Sequence, residues 1–308
     1  MKRKEFLFVY ESVNANANGD PLNENRPRID EETGLQYVTM YRIKRTIRDY
    51  LKLLNILNPN EGNHILYSQR EYENNNKIYL KTLEMVLKEE TDLSIEDITR
   101  RFIDVRLFGG LFGIKDANLA LQGPVQISYG QSYHKVKEQE IQISAVMPSG
   151  ANKTQGTLGL SYIVPYAVIG TDGTVNQYNA TKTGLTEEDV ELMFEALWNG
   201  TTELKTTSKN QKSLFLVIVD FKEEFQNTYI GNLKDYIKLS TERDDLEIRN
   251  TKDYSINIDD LIAKLNNMAE CIDRVRICRD ISLKLEYNGE KIDNISDLLE
   301  VQTEEKVV

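Results

Sequence analysis

The stretch that most constrains this chain runs from Phe6 to Leu57, where three unlike pieces are joined. An apolar segment from Phe6 to Val13 reads as a strand. It runs into Asn14, Asn16 and Asn18, which alternate with Ala15 and Ala17 before Gly19-Asp20-Pro21, a clustering of turn formers that sets a loop. A polar stretch carrying Arg26 and Arg28 then leads to a helix. On a wheel at about 100° per residue, Ile43, Ile47, Tyr50, Leu51 and Leu54 share one face, and Lys44, Arg45, Arg48 and Lys52 fall on the adjoining flank. Thr39 suits the N-cap.

Two readings fit each half of this stretch. The asparagine side chains and free N–H groups bind an anion or a sugar, or they cap their own turn. The helix flank binds phosphate, or it is a solvated face. Arg42 to Lys52 holds five basic residues and one acid, Asp49, in a chain whose net charge is −11. That local exception is what phosphate binding explains.

The overall charge excludes a surface generally coated by nucleic acid. It is unevenly spread, with 20 acidic and 12 basic residues from Glu223 to Val308. A content of 40% hydrophobic and 28% charged residues over 308 positions is that of a globular chain able to bury a large core. No apolar run approaches the roughly 20 residues that span a bilayer, so no membrane partner and a cytoplasmic home are expected. Cys271, Cys278, His64 and His134 are too few and too scattered for a disulfide framework or a zinc site, and neither a metal nor a cofactor is expected.

Asn58 to Asn76 is polar and turn-rich. Two amphipathic helices are expected after it, from Ile78 to Glu89 and from Ser94 to Arg106, the second started by Ser94 with Asp97. Leu107 to Gly113 alternates glycine with large apolar groups and suits a buried turn, without the spacing of a phosphate-binding loop. Val125 to His134 alternates as one strand whose polar face shows Gln126, Ser128 and His134. Gln139 to Val146 and Leu158 to Ile169 are further strands. Between them lies an exposed loop with Met147, a core residue or a wedge, and Lys153. Thr171 to Thr174 reads as a turn. Thr186 to Trp198 is a capped helix ended by Asn199-Gly200. Thr201 to Ser213 is basic, with Lys205, Lys209, Gln211 and Lys212, before a buried strand from Leu214 to Val219. A helix capped by Asp259 follows, then strands from Val275 to Cys278 and from Ile281 to Tyr287, a turn at Asn288-Gly289 and a frayed acidic end.

In this order the landmarks resemble the backbone subunit of type I CRISPR surveillance complexes, the Cascade Cas-seven family of the RAMP superfamily, nearest its subtype I-B branch. The similarity is carried by Asn-Ala-Asn-Gly-Asp-Pro after the first strand, Ile43-Lys44-Arg45 with Arg48, Leu107-Phe108-Gly109, Val125-Gln126, His134, Gly156-Thr157-Leu158-Gly159 and Thr207-Ser208-Lys209-Asn210-Gln211. Met40 departs from it, standing where the family has an acid.

The resemblance implies an α+β fold: an RRM-like, ferredoxin-type palm with an antiparallel sheet, a helical finger insertion at 58–118, an RNA-facing loop at 147–157 and a thumb hairpin at 199–213. It implies a non-catalytic subunit that polymerises along a CRISPR RNA and presents it for pairing with target DNA, beside copies of itself and other Cascade subunits. Asn14, Asn16, Asn18, Gly19, Arg26, Arg28, Lys44, Arg45, Arg48, Gln126, His134, Met147, Lys153, Lys209 and Gln211 would line the RNA path. Related type III backbone subunits cut target RNA through a loop aspartate, for which Asp20 or Asp30 would stand here.

Overall fold

The expected first strand lies inside a longer one, β1 (Lys4–Ala15), which is buried almost throughout because strands flank it on both sides. The computed structural model describes residues 1–92, 94–114, 117–144 and 158–308. After β1 come a small hairpin of β2 (Gly19–Asp20) and β3 (Arg26–Pro27), then β4 (Leu35–Val38) and α1 (Met40–Leu57). Next are a hairpin of β5 (Glu71–Asn74) and β6 (Lys77–Leu80), the helices α2 (Leu83–Glu90), α3 (Ile95–Arg101) and α4 (Ile103–Phe108), and a hairpin of β7 (Gly109–Ile114) and β8 (Ala117–Gln122). β9 (Val125–Ile127), β10 (Gly130–Lys135), β11 (Gln139–Ser144) and β12 (Leu158–Val175) precede α5 (Gln177–Thr183), α6 (Glu187–Glu203) and β13 (Gln211–Phe221). The remainder holds β14 (Lys238–Ser240), β15 (Ser255–Asn257), α7 (Asp259–Asn267), β16 (Ile272–Arg279), β17 (Leu285–Tyr287), β18 (Glu290–Ile292) and β19 (Thr303–Val307).

The large sheet runs β19-β16-β13-β1-β12-β10-β4, antiparallel except where β19 joins β16. Its middle, β13-β1-β12-β10, is the 4-1-3-2 order of a ferredoxin-type palm, with α1 following the first of these strands and α6 preceding the last. Because side chains alternate along β1, Phe6, Phe8 and Tyr10 enter one core with Ile43, Ile47, Met193 and Leu197, while Leu7 and Val9 enter another with Ile248, Ile256, Leu261 and Leu265. The helices cover one face of the sheet and the acidic C-terminal region covers the other. A third, small core of Leu66, Val86, Leu87, Ile98, Phe102, Val105 and Phe112 sits inside the segment read as a finger.

Several local expectations are corrected. Ile78 to Leu80 form a strand, since Asn75 and Asn76 both adopt positive φ (51° and 57°) and close a hairpin. Thr171 to Thr174 lie inside β12, held by the ladder to β1 on one side and by Ser128 N and β9 on the other. Leu107 to Gly113 is a helix end followed by β7, with Leu111 exposed; Gly109 (φ +71°) is required there because a Cβ would lie 2.1 Å from the Leu121 carbonyl oxygen. The Val125–His134 strand breaks at Ser128-Tyr129. Asp259 is the first helical residue of α7, behind Ile258 at the N-cap. The acidic end is β19, and α5 answers to no expected element.

The Asn199-Gly200 pair does not end α6, which continues to Glu203. A Cβ on Gly200 would stand 2.9 Å from Tyr50 Cβ and 3.3 Å from the Thr46 carbonyl oxygen, so glycine there lets α6 close onto α1. Gly200→Val is expected to lower stability by about 2 kcal/mol in urea titration, from overpacking at this crossing. An unchanged midpoint would mean that the helices separate without loss.

Candidate nucleic-acid interface

The loop after β1 is tied to the start of α1 by one asparagine. Thr39 N and Thr39 Oγ1 both donate to Asn18 Oδ1 at 2.8 Å, and Thr39 Oγ1 accepts from Arg42 N at 3.4 Å as the N-cap. Asn14 sits at φ 47°, a left-handed conformation that asparagine tolerates. Asn16 is buried; its N donates to the Ser208 carbonyl at 3.0 Å and its Nδ2 to the Asn25 carbonyl at 2.6 Å, while its Oδ1 meets no donor. The same residue's carbonyl accepts from Lys209 Nζ. Asn14 to Gly19, the start of α1 and the turn closed by Thr206 and Lys209 are thereby brought together, and Gln211, buried, pairs with Ser12 beside them.

α1 carries cations on both flanks of its buried face. On one flank Lys44 Nζ lies 5.0 Å from the Phe108 ring centroid, and the Arg48 guanidinium lies 5.1 Å from that ring and 5.2 Å from Tyr67. Burial, followed by the charge of Arg48, presses the Lys44 amine down to about 8. Arg48 Nε donates to Asp104 Oδ2 at 3.0 Å, and that buried carboxylate also accepts from Leu66 N at 2.8 Å and Tyr67 N at 3.1 Å. Arg48 therefore has a structural partner, whereas Lys44 has no carboxylate among the described residues. Arg45 faces solvent and is held by Asp49 at 2.7 Å, a surface pair of small energetic weight.

The other flank holds Arg42, which is not among the expected site residues. Its charge acts on Lys209, whose amine is lowered to about 8, first by burial and then by Arg42. Burial also lowers Arg42, and its Nε has no partner. The sequence carries one signal for it: a helix that buries a single face has two flanks, and Arg42 is the cation on the second.

Other expected positions are arranged differently. Arg26 stacks on Tyr162 at 4.0 Å and is paired with Glu138 and Glu24, and Arg28 is paired with Asp20 at 3.1 Å. His134 is buried, not displayed on a polar face: its Nε2 accepts from Val168 N at 3.3 Å and its ring stacks on Tyr166 at 6.2 Å. Gln126 is exposed but pairs with Thr174 near the Glu5 end of the sheet, whereas the asparagine loop follows Ala15, opposite Val164. Ten β12 residues separate those ends, about 30 Å. Met147 and Lys153 lie outside the described residues.

A ferredoxin-type palm with cations on both flanks of its first helix defines the class of this molecule. The chain belongs to the CRISPR-associated protein Cas7 family, whose model matches residues 2–259. It is 28% identical over 320 residues to the CRISPR-associated protein Cas7 of Haloferax volcanii, a match covering 95% of this chain and 91% of that one. Its fold is similar to a chain of a CRISPR RNA-guided surveillance complex in a pre-nicking state (TM-score 0.55, 12% identity, covering 99% of this chain and 96% of that one). It is also similar to a chain of another CRISPR RNA-guided surveillance complex (TM-score 0.53, 12% identity, covering 98% and 94%).

Asp104 is the support on which one cationic flank rests. Asp104→Ala strands a largely buried Arg48, the buried Leu66 N–H and the part-buried Tyr67 N–H, so a loss of about 3 kcal/mol is expected by denaturant titration. A variant of unchanged stability would show that the pair is dispensable.

Proposed function

We propose that this chain is a CRISPR RNA-binding backbone subunit of a type I Cascade effector complex, polymerising along the guide beside other Cascade subunits and leaving it open to pair with target DNA. The observation that carries this reading, together with family membership, is the set Arg42, Lys44 and Lys209: cations withdrawn from water, in ion-pair contact with no carboxylate among the described residues, in an acidic chain. Leaving such charges desolvated is unfavourable unless an anion meets them. Phosphate suits the position, because a scaffold that accepts any guide sequence should hold backbone rather than base edges.

Within that reading, Lys44, Arg42 and Lys209 contact phosphate, with Asn14, Asn18 and Gly19 shaping the path and Arg45 and Arg48 adding field. Asn16, His134 and Gln211 support it from inside, and Arg26 and Arg28 brace the loop. Residues 58–118 act as the finger and the Thr206–Lys209 turn as the thumb tip. Met147 and Lys153 remain candidates for contact with RNA or a neighbouring copy. We favour binding over cleavage because Asp20 is committed to its turn, with its Oδ1 accepting from Leu22 N at 3.2 Å and from Arg28 at 3.1 Å. Cleavage of paired RNA by the assembled protein, lost in Asp20→Ala or Asp30→Ala, would overturn that preference. No helix among the described residues is long and apolar enough to cross a membrane, and a cytoplasmic place of work belongs to the same proposal.

Copurifying RNA, seen as ribonuclease-sensitive absorbance at 260 nm, is the first expected result; absence of RNA binding at low salt defeats the proposal. Lys44→Ala combined with Lys209→Ala should flatten the salt dependence of guide affinity by roughly 0.7 for each phosphate no longer neutralised. An unchanged slope would remove both lysines from the RNA path.

The depressed amines add a pH signature. In the free protein both lysines are mostly charged at pH 7 and lose their protons as pH rises through about 8. A bound phosphate favours the charged form, so binding takes up protons above pH 7 and affinity falls from pH 7 to 9. Lys44→Arg with Lys209→Arg should remove most of this fall. A wild-type affinity flat across that range would contradict the assignment.

A further inference from the structure

A groove on the helical side of the sheet has no part in the RNA reading. Along β16, Ile272, Val275, Ile277 and Arg279 are buried, while Arg274, Arg276 and Cys278 on the other face are only half covered. α6 crosses the sheet beside this strand and stops short of closing over it. The space left, about 680 Å³, has Leu192, Trp198, Leu216 and Cys278 among the residues that line it. Burial pushes the Cys278 thiol up to about 11, so the group is neutral and acts as part of an apolar floor. Trp198 is half-buried, and its indole N–H meets no acceptor among the described residues, although a tryptophan at an interface usually finds one.

The rim is acidic, and part of it is already neutralised. Glu187 is held by Lys4 at 3.0 Å and Glu191 by Arg276 at 2.7 Å. Glu188 and Glu195 are exposed and have no cationic partner among the described residues; Lys306 is the opposing charge on the far wall. Such a rim repels phosphate and favours cations, and the apolar floor favours a side chain that carries one beside a hydrophobic group.

We propose that this groove docks a basic amphipathic segment of a partner protein, its apolar side chains covering Leu192, Trp198 and Cys278 and its lysines or arginines meeting Glu188 and Glu195. This is the helix-in-groove mode, with affinity drawn from the floor and selectivity from the rim. It does not depend on the RNA assignment.

Trp198 is the only tryptophan of the chain, so its fluorescence reports this groove alone. The experiment titrates the full chain, before and after ribonuclease, with a tryptophan-free Leu/Lys amphipathic helical peptide and with its Leu/Glu counterpart. A saturable blue shift and weaker iodide quenching are expected with the Lys peptide only, equally with and without RNA. Glu188→Lys with Glu195→Lys should weaken the response roughly tenfold, and Lys306→Glu should strengthen it several-fold. Trp198→Phe, which abolishes the signal, checks the reporter. The proposal fails if the Glu peptide acts as well, if the double charge reversal changes nothing, or if the response needs RNA. It also fails if the blue shift arises from protein concentration alone, which would assign the groove to a second copy. Loss of RNA binding in an unrelated α1 variant that keeps the Trp198 response would separate failure of the RNA reading from failure of this one.

Discussion

Burial of the central sheet on both faces is the constraint from which the rest follows. In an RRM-type module that reads RNA on its sheet, aromatic side chains on an open face stack against bases. Here the alternation of β1 sends Phe6, Phe8 and Tyr10 under the helices and Leu7 and Val9 under the C-terminal region. Neither face is free. Around β1, the proposed RNA is left the rim, the loops at the strand ends and the helix flanks, and there lie the cations without an ion-pair partner among the described residues.

The position of those cations follows from the same packing. α1 must bury Ile43, Ile47 and Leu51, which leaves its two flanks at the edges of the helical layer, partly shielded by neighbouring chain. Lys44 is shielded by Phe108 and Lys209 by the asparagine loop, whose Asn16 carbonyl it meets. Partial burial makes both amines easier to deprotonate. It also means that their fields are less screened by water than those of Arg45, which sits in solvent against Asp49.

Much of this was legible in the sequence. β1, the asparagine turn, the Thr39 cap, the apolar face of α1, the Thr186 cap and the Asn288-Gly289 hairpin all depend on local pattern and stand where expected. What was not legible depends on distant partners. Gly200 stays helical because Tyr50 lies against it, and Thr171 to Thr174 stay extended because two neighbouring strands hold them. The acidic end becomes β19 because β16 offers it an edge. His134 belonged to the inner face once its strand broke at Ser128-Tyr129, and the company of Arg42 and Lys209 appeared only when the loop carrying Lys209 was folded beside α1.

Arg48 shows that a side chain on the proposed binding flank already carries a structural duty. Its carboxylate partner, Asp104, also caps the backbone at Leu66 and Tyr67, so one buried charge joins α1, α4 and the entry to the 58–118 segment. Nearby, Arg106 donates to Asp189 at 2.7 and 2.8 Å and to the carbonyls of Gly62 and Thr99 at 2.8 Å, fastening the same segment to α6. Two buried ion pairs thus anchor this segment to the two palm helices. An ion pair of this kind contributes modestly to net stability but strongly to geometry, because either partner left alone is heavily penalised. For the proposed scaffold that property matters more than stability, since a small tilt of the segment, repeated in each copy along a guide, would accumulate.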